Sequence, residues 1–266
     1  MLNKIKQKVN RKFQQTNYIN AISMAATVAN GECFRDIKNC NAGKAVAICG
    51  GGPTLQKYVP IPDTLHVALN RALLNKNVKY DWFIADDWDG VYFFQDELLN
   101  YDCRKFFGHQ IGGGYFRQIP ESFRIACNAG RYYTDSYMVE DGFASRFTCD
   151  IDKMAVGNMP NIALSAMQIL LFTHPSKIYL VGCDASQGHF VQPDKLDANK
   201  IKEQEKDLKL AVSSDRVIQK WLELKAFAEA FYPDVEIISV NPVGLKGIFK
   251  DEYQEAFLTT KECDNA

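Results

Sequence analysis

Short apolar runs, each closed by a glycine or a polar residue, are the feature of this sequence that most restricts its fold. The runs are AVAIC (45–49), HVAL (66–69), YDWFIA (80–85), KIYLV (177–181) and VEIISV (235–240). A short apolar run bounded by turn residues is typical of a strand buried in a parallel sheet. The first three runs lie about 15 to 22 residues apart, as short crossovers between parallel strands require. The sequence therefore predicts an α/β protein with an open, mostly parallel sheet and flanking helices.

The first run ends in a glycine loop, which we define as Gly50, Gly51, Gly52, Pro53 and Thr54. Glycine lets a backbone approach a ligand closely and adopt positive φ, and successive N–H groups in such a turn can bind an anion. The loop is therefore a candidate phosphate site. A strand-to-helix turn without a ligand explains the same residues, so the loop alone leaves both interpretations open.

Polar residues follow the other apolar runs. Asn70 closes the second run, and Asp86 and Asp87 close the third. Because ligands of open α/β sheets bind at the carboxyl ends of the strands, we expect these residues to share one site with the glycine loop. Asn158 and Asn161 precede a predicted helix, whose N-terminal N–H groups favour an anion or a ligand oxygen.

The balance of charges and the cysteine pattern argue against several functions. The 266-residue chain has 31 Lys and Arg against 32 Asp and Glu, so it has no overall field that attracts nucleic acid. Its eight cysteines form no CxxC pair, which does not favour zinc and fits reduced thiols in the cytoplasm. No apolar run reaches the roughly 18 residues that a membrane-spanning helix needs. The length suits one large α/β domain.

The chain start differs from the rest in composition. The first twelve residues carry five Lys or Arg and no acid, with Leu2, Ile5 and Val9 at helical spacing. This pattern is typical of a helix that lies on an anionic membrane surface, and also of a solvated helix packed on the domain. We predict a basic helical segment over 1–42, an α/β domain over 43–250 and a C-terminal helix or tail over 251–266.

The segments between the apolar runs carry weaker patterns. Residues 91–101 are predicted to be helical, and 123–127 to form a short strand. The run 194–209, DKLDANKIKEQEKDLK, is highly charged, which favours a solvated helix or a mobile lid.

Taken together, the segments ICGGGPTL, ALN, FIADD, NIALSAMQILLF, KIYLVGCDASQGHF and ISVNPVG resemble the bacterial sialyltransferases of glycosyltransferase family 42. They are equally similar to a related group that holds flagellin-modifying motility accessory factors and archaeal 6-hydroxymethylpterin diphosphokinase-like proteins. The resemblance extends from about residue 44 to 250. It implies a Rossmann-like (GT-A-like) sheet with a small lid or insertion, and a glycine loop that lines the donor phosphates. It also implies that Asn70 contacts the nucleotide, with Asp86 or Asp87 where those enzymes have another asparagine.

The candidate catalytic residues depart from the sialyltransferase pattern. The catalytic histidine of that family falls near residues 211–214, where this chain has Ala-Val-Ser-Ser. His189 lies earlier, where the motility accessory factors often carry a histidine, and it is the one histidine that follows a strand end on the predicted site. We therefore take His189 as the candidate general base. Asp184 is the candidate for orienting it or for holding a donor hydroxyl.

Asp87 and Asp89 form a D-x-D pattern after an apolar strand. Many glycosyltransferases hold a divalent cation in this way, and carboxylate oxygens suit Mg²⁺ or Mn²⁺. Acidic pairs also cap strand ends, and the sialyltransferase relatives need no metal. Both interpretations stay open.

The resemblance implies a glycosyltransferase that uses a nucleotide-activated sugar, with a CMP-sugar favoured, to modify a bacterial surface glycan such as lipopolysaccharide or capsule. Such an enzyme would be cytoplasmic, with peripheral contact to the inner face of the membrane through residues 1–12, and could form a homo-oligomer. The alternatives are an ATP-dependent pyrophosphokinase and a nucleotide-binding module without catalysis.

Overall fold

The computed structural model of the chain describes residues 24, 26–111, 118–135, 147–157, 161–185 and 214–255. The strands are β1 (Ala45–Cys49), β2 (Thr64–Leu69), β3 (Trp82–Ala85), β4 (Arg104–Ile111), β5 (Gly130–Asp135), β6 (Val156–Gly157), β7 (Lys177–Val181), β8 (Glu236–Val240) and β9 (Lys250–Glu252). The α-helices are α1 (26–34), α2 (Gln95–Asn100), α3 (Glu121–Ala126), α4 (Ile162–Phe172) and α5 (Ser214–Phe231). Short 3₁₀ helices cover Pro53–Lys57, Asn70–Leu74 and Tyr92–Phe94.

All nine strands belong to one sheet in the order β6-β5-β4-β3-β2-β1-β7-β8-β9. Every neighbouring pair is parallel. The chain builds outward from β1 to β6, returns to the other side of β1 as β7, and then continues to β9. This reversal creates a topological switch point between the carboxyl ends of β1 and β7, where open α/β sheets bind ligands. The predicted α/β fold with a parallel sheet is confirmed.

Both faces of the sheet are covered, which explains why its strands are apolar throughout. Along β1, Val46 and Ile48 pack into the core beneath α1, α4 and α5, whereas Ala47 and Cys49 pack into the opposite core with the 3₁₀ helices and α2. Alternate side chains of a strand point to opposite faces, so a strand buried on both sides needs apolar residues at every position.

Helix α4 is the central helix of one face. Every residue from Ala163 to Phe172 is buried, and the helix contacts β1, β2, β6 and α5. A helix that is apolar on all sides is stable only when other elements surround it. Asn161 begins this helix, since its side-chain oxygen accepts a hydrogen bond from the N–H of Ala163 at 2.9 Å.

Residues 26–42 are part of the same packed core as the sheet. Ala26, Phe34 and Ile37 are fully buried, and Phe34 packs against the rings of Phe106 and Tyr132 from β4 and β5. The described residues of the predicted segment 1–42 therefore share a core with the sheet. The domain boundary predicted at residue 42 stays a prediction.

The short strand predicted over 123–127 is wrong, because these residues lie in α3 and its C-terminal cap. Phe123 stacks on Phe107 and contacts Trp88, Cys127 is buried, and Ile125 between them is 62% exposed. A strand would place all three odd-numbered residues on one face, whereas a helix brings together residues four apart. Because Phe123 and Cys127 pack inward while Ile125 is exposed, this segment forms a helix and not a strand.

Several predictions concern residues outside those that the structure describes. These are the basic start 1–12, the charged run 194–209, Asn158 and His189. Within the described residues, no helix is long and apolar enough to span a membrane, and the seven described cysteines are free thiols.

Candidate functional site

The glycine loop is fastened to the end of β7. The N–H of Gly50 donates to the carbonyl of Val181 at 2.8 Å, and the N–H of Gly52 donates to the carbonyl of Gly182 at 2.9 Å. Within the described part of the chain, the N–H of Gly51 donates no hydrogen bond. Two of the three glycine N–H groups are therefore engaged by the protein itself. The binding of a phosphate by this loop stays a prediction.

The close approach of β7 is also the reason for glycine in this loop. A Cβ atom on Gly50 would lie 2.5 Å from the carbonyl oxygen of Gly182, and one on Gly52 would lie 2.6 Å from the same oxygen. The positive φ belongs to Gly182 at +59°, and none of the three loop glycines has one. The contact between the backbones of the glycine loop and β7 therefore explains the glycines better than the approach of a ligand does.

Asp184 joins the loop to β7 through its carboxylate. The N–H of Thr54 donates to Oδ2 of Asp184 at 2.9 Å, and the Thr54 hydroxyl donates to Oδ1. Asp184 is 5% exposed, and burial raises the pKa of its carboxyl while the two bonds from Thr54 oppose that rise. The carboxylate is thus an internal anion held by the loop. Its predicted catalytic role stays a prediction, with both oxygens already accepting bonds from Thr54.

Asn70 lies at the carboxyl end of β2 in a left-handed conformation, with φ of +47°. Its side chain packs beneath Gly90, where a Cβ atom would lie 2.8 Å from Cγ of Asn70. The side-chain oxygen is buried and has no hydrogen-bond partner among the described residues. An unpaired buried acceptor costs about 1 to 3 kcal/mol, so a ligand hydroxyl or N–H that donates to it would be well bound.

Asp86 points into the protein interior beneath α4. It is 4% exposed, and its Oδ1 accepts a hydrogen bond from the hydroxyl of Tyr132, whereas its Oδ2 has no partner in the part of the chain that the structure describes. Burial raises the pKa of this carboxyl to about 7, while the hydrogen bond from Tyr132 lowers it and the negative charge of Asp87 raises it. This burial does not support the predicted contact of Asp86 with a nucleotide, because the carboxyl faces the core.

Asp87 lies on the other side of the β3 end. Its Oδ1 accepts a hydrogen bond from the N–H of Gly90 at 2.6 Å, which folds the 87–90 turn over Asn70. Burial raises the pKa of Asp87 to about 6, the N–H of Gly90 lowers it, the negative charge of Asp89 raises it, and the positive charge of Arg71 lowers it. Of the two adjacent carboxyls, Asp87 is therefore the one that faces the 87–90 turn and the charge of Arg71.

The predicted metal pair does not extend to a third ligand within the described chain. No group of three or more His, Cys, Asp or Glu side chains in that part of the protein is placed to hold a metal ion. Asp87 and Asp89 supply two carboxylates, fewer than the oxygen ligands that a protein site for Mg²⁺ or Mn²⁺ normally combines. We derive no chemical step through a metal.

Arg71 is a residue of this site that sequence reasoning missed. It directly follows Asn70, and its guanidinium lies 5.3 Å from the centre of the Phe93 ring. Burial lowers its pKa to about 10, and the charge of Asp87 raises it, so the side chain is protonated at neutral pH. The signal in the sequence that could have identified Arg71 is its position, directly after Asn70 at the end of a strand.

At the N-terminus of α4, the side chain of Asn161 already accepts a hydrogen bond from the N–H of Ala163. Further along the helix, Gln168 binds both backbone groups of Gly157 in β6, at 3.1 Å from N and 3.0 Å from O. The predicted contact of Asn161 with a nucleotide stays a prediction, because its side-chain oxygen serves the cap.

The burial of Asp86 can be tested by measuring how stability depends on pH. Its pKa is raised on folding, so its contribution to stability is complete below about pH 4 and is lost as pH rises through 7. Asparagine at position 86 keeps an acceptor for Tyr132 but cannot ionise. We expect Asp86→Asn to gain about 2 to 3 kcal/mol of unfolding free energy relative to wild type between pH 5 and pH 8, measured by urea denaturation.

Asp36 offers a control for this measurement. It is exposed, and its pKa is lowered by the hydrogen bond from Arg104. Asp36→Asn should therefore show no relative gain as pH rises. A pH-independent difference between Asp86→Asn and wild type would show that Asp86 is not protonated in the folded protein at pH 5.

Fold and site together define a doubly wound α/β protein with a polar rim along the carboxyl ends of β1, β2 and β3. No protein-family model matches the sequence, and no curated protein matches it. Among solved structures, the chain is similar to the sialyltransferase CstII from Campylobacter jejuni in complex with the substrate analogue CMP-3FNeuAc. That similarity covers 80% of this chain and 88% of that chain, with 11% sequence identity and a TM-score of 0.47.

Two further structures of this sialyltransferase are also similar to the chain. One, a variant in complex with CMP, is 13% identical with a TM-score of 0.46. The other, in complex with a trisaccharide acceptor and CMP, is 14% identical with a TM-score of 0.43. Each similarity covers 74% of this chain and 80% of the other.

Proposed function

We propose that this protein is a glycosyltransferase that uses a nucleotide-activated sugar, with a CMP-sugar as the favoured donor, to modify a surface glycan at the cytoplasmic face of the membrane. The observation that carries the proposal is the single rim formed by the glycine loop, Asn70 and Asp87. These residues end the adjacent strands β1, β2 and β3. Neighbouring strands are about 4.8 Å apart, so the rim spans about 10 Å, which matches a bound nucleotide.

The groups on this rim suit a sugar nucleotide. In this proposal the side-chain oxygen of Asn70, which has no hydrogen-bond partner within the described part of the chain, accepts a hydrogen bond from a ligand hydroxyl or N–H. The carboxylate of Asp87 offers a second acceptor one strand away. Sugars and riboses present mainly hydroxyl donors, so a rim rich in acceptors fits them well.

Transfer to an acceptor hydroxyl needs a base that removes its proton, together with stabilisation of the departing nucleotide. In this proposal His189 is the base, since it follows the end of β7 by a few residues. A CMP-sugar is favoured by the resemblance of the strand-end motifs to sialyltransferases. Its monophosphate also carries less charge than a diphosphate and so depends less on a metal.

A panel of nucleotides tests the proposal. We expect CMP to bind wild-type protein more tightly than UDP, GDP or ATP, with no loss of affinity in EDTA, as measured by isothermal titration calorimetry. Incubation with CMP-sugars should release CMP. Preference for ATP with dependence on Mg²⁺ would instead favour a pyrophosphokinase, and binding without release or transfer would favour a non-catalytic nucleotide-binding module.

A further inference from the structure

We propose that Arg71, and not the glycine loop, binds the phosphate of the nucleotide substrate. This assignment rests on the proposed function, because it concerns the same rim. Arg71 is not part of any motif in the sequence. If it binds the phosphate, the role of the glycine loop is to join β1 to β7.

The glycine loop already holds an anion of its own. Thr54 donates both its N–H and its hydroxyl to the carboxylate of Asp184, and Gly50 and Gly52 donate to carbonyl groups at the end of β7. A phosphate at these positions would have to displace bonds that join β1 to β7. The loop therefore connects the ends of β1 and β7 at the switch point.

Arg71 follows a strand of the same rim as that loop. It is one residue beyond Asn70, and Asn70 directly follows β2, the strand that pairs with β1. The loop and Arg71 therefore follow the carboxyl ends of two neighbouring strands. Arg71 thus stands beside the acceptor group of Asn70, which the proposed function assigns to a donor hydroxyl.

The surroundings of Arg71 hold its guanidinium in place. The group lies over the Phe93 ring at 5.3 Å on one side, and the negative charge of Asp87 acts on it from the end of β3. A guanidinium that is already oriented loses little conformational entropy when it forms two parallel hydrogen bonds to a phosphate. Partial burial strengthens such bonds, because water competes less for the charge.

Arg104 provides a matched control at the opposite edge of the sheet. Its guanidinium pairs with the carboxylate of Asp36 at 2.8 Å and lies 5.0 Å from the centre of the Phe106 ring. It therefore combines a carboxylate and an aromatic ring as Arg71 does. However, it begins β4, so it lies at the amino ends of the strands, away from the rim.

The experiment compares CMP with cytidine, which lacks the phosphate, in calorimetric titrations of the full-length protein. Arg71→Gln should weaken CMP binding about 10- to 100-fold and leave cytidine binding unchanged, as expected for loss of a charge-assisted contact to phosphate. Arg71→Lys keeps the charge but loses the planar fork, so it should retain part of the CMP affinity. Arg104→Gln should bind CMP as wild type does.

Each other outcome has a distinct meaning. CMP binding by Arg71→Gln equal to that of wild type would overturn the assignment, and so would an equal loss for CMP and cytidine, which would indicate a structural role. Circular dichroism and urea denaturation check the fold, and Arg71→Lys replaces Arg71→Gln if the latter is unstable. Wild-type protein that binds none of CMP, UDP, GDP or ATP would instead overturn the proposed function itself.

Discussion

Replacement of Gly52 by alanine is expected to lower the free energy of unfolding by about 2 to 4 kcal/mol. The new Cβ atom would lie 2.6 Å from the carbonyl oxygen of Gly182 and closer still to the carboxylate of Asp184. The backbone oxygen cannot rotate away, so β1 and β7 must separate and the bonds from Thr54 to Asp184 must stretch. Urea denaturation followed by circular dichroism measures the loss.

Gly31 is the matched control, because it lies in α1 with ordinary space around it. A Cβ atom there would lie 3.4 Å from the nearest atom, the carbonyl oxygen of Asp152. Gly31→Ala should therefore be neutral or stabilise the helix by about 0.5 to 1 kcal/mol. If Gly52→Ala instead kept wild-type stability and lost nucleotide binding, the glycine would serve a ligand and not the contact between strands.

Replacement of His189 by asparagine is expected to lower kcat about 10²- to 10⁴-fold with little change in donor affinity, because removal of a general base affects the chemical step and not binding. The measurements are single-turnover transfer from the donor identified in the nucleotide panel, and calorimetric titration of CMP. His189 lies outside the described residues, so this role rests on its place in the sequence, five positions after Asp184.

His174→Asn is the control for this experiment. His174 lies just before β7, at the amino end of that strand, and its Nε2 is 2.7 Å from the carboxylate of Asp234. Its positive φ of +54° is one that asparagine tolerates. This variant should keep full activity. A His189→Asn enzyme with unchanged kcat would remove His189 from the chemistry and leave the base unassigned.

The sequence alone determined the strands and the edge at which a ligand can bind. Residues 45–49, 177–181 and 236–240 are strands because a continuous apolar run of this length can be satisfied by burial on both faces of a parallel sheet. Once strands are parallel, their carboxyl ends must lie at one edge. For this reason the glycine loop, Asn70 and the acidic residues after β3 could be assigned to a common rim without coordinates.

Only the tertiary structure decided what each polar group on that rim binds. The anion held by Thr54 is Asp184, 130 residues away, and the pairing exists because the chain returns beside β1 as β7. The sequence around Thr54 does not predict its contact with Asp184, and the sequence around Asp184 does not predict it either. The same return places the carbonyl of Gly182 against Gly52, so a loop that looks open in sequence is closed in the fold.

Adjacent residues were separated in the same way. Asp86 and Asp87 follow one strand and look equivalent in sequence, but consecutive side chains point to opposite faces. Asp86 therefore meets Tyr132 in the core, whereas Asp87 meets Gly90 and the charge of Arg71 at the rim. Which face is the core depends on helices packed from distant parts of the chain. Alternation along the chain places the two carboxyls on opposite faces, and long-range packing decides which of the two is buried in the core.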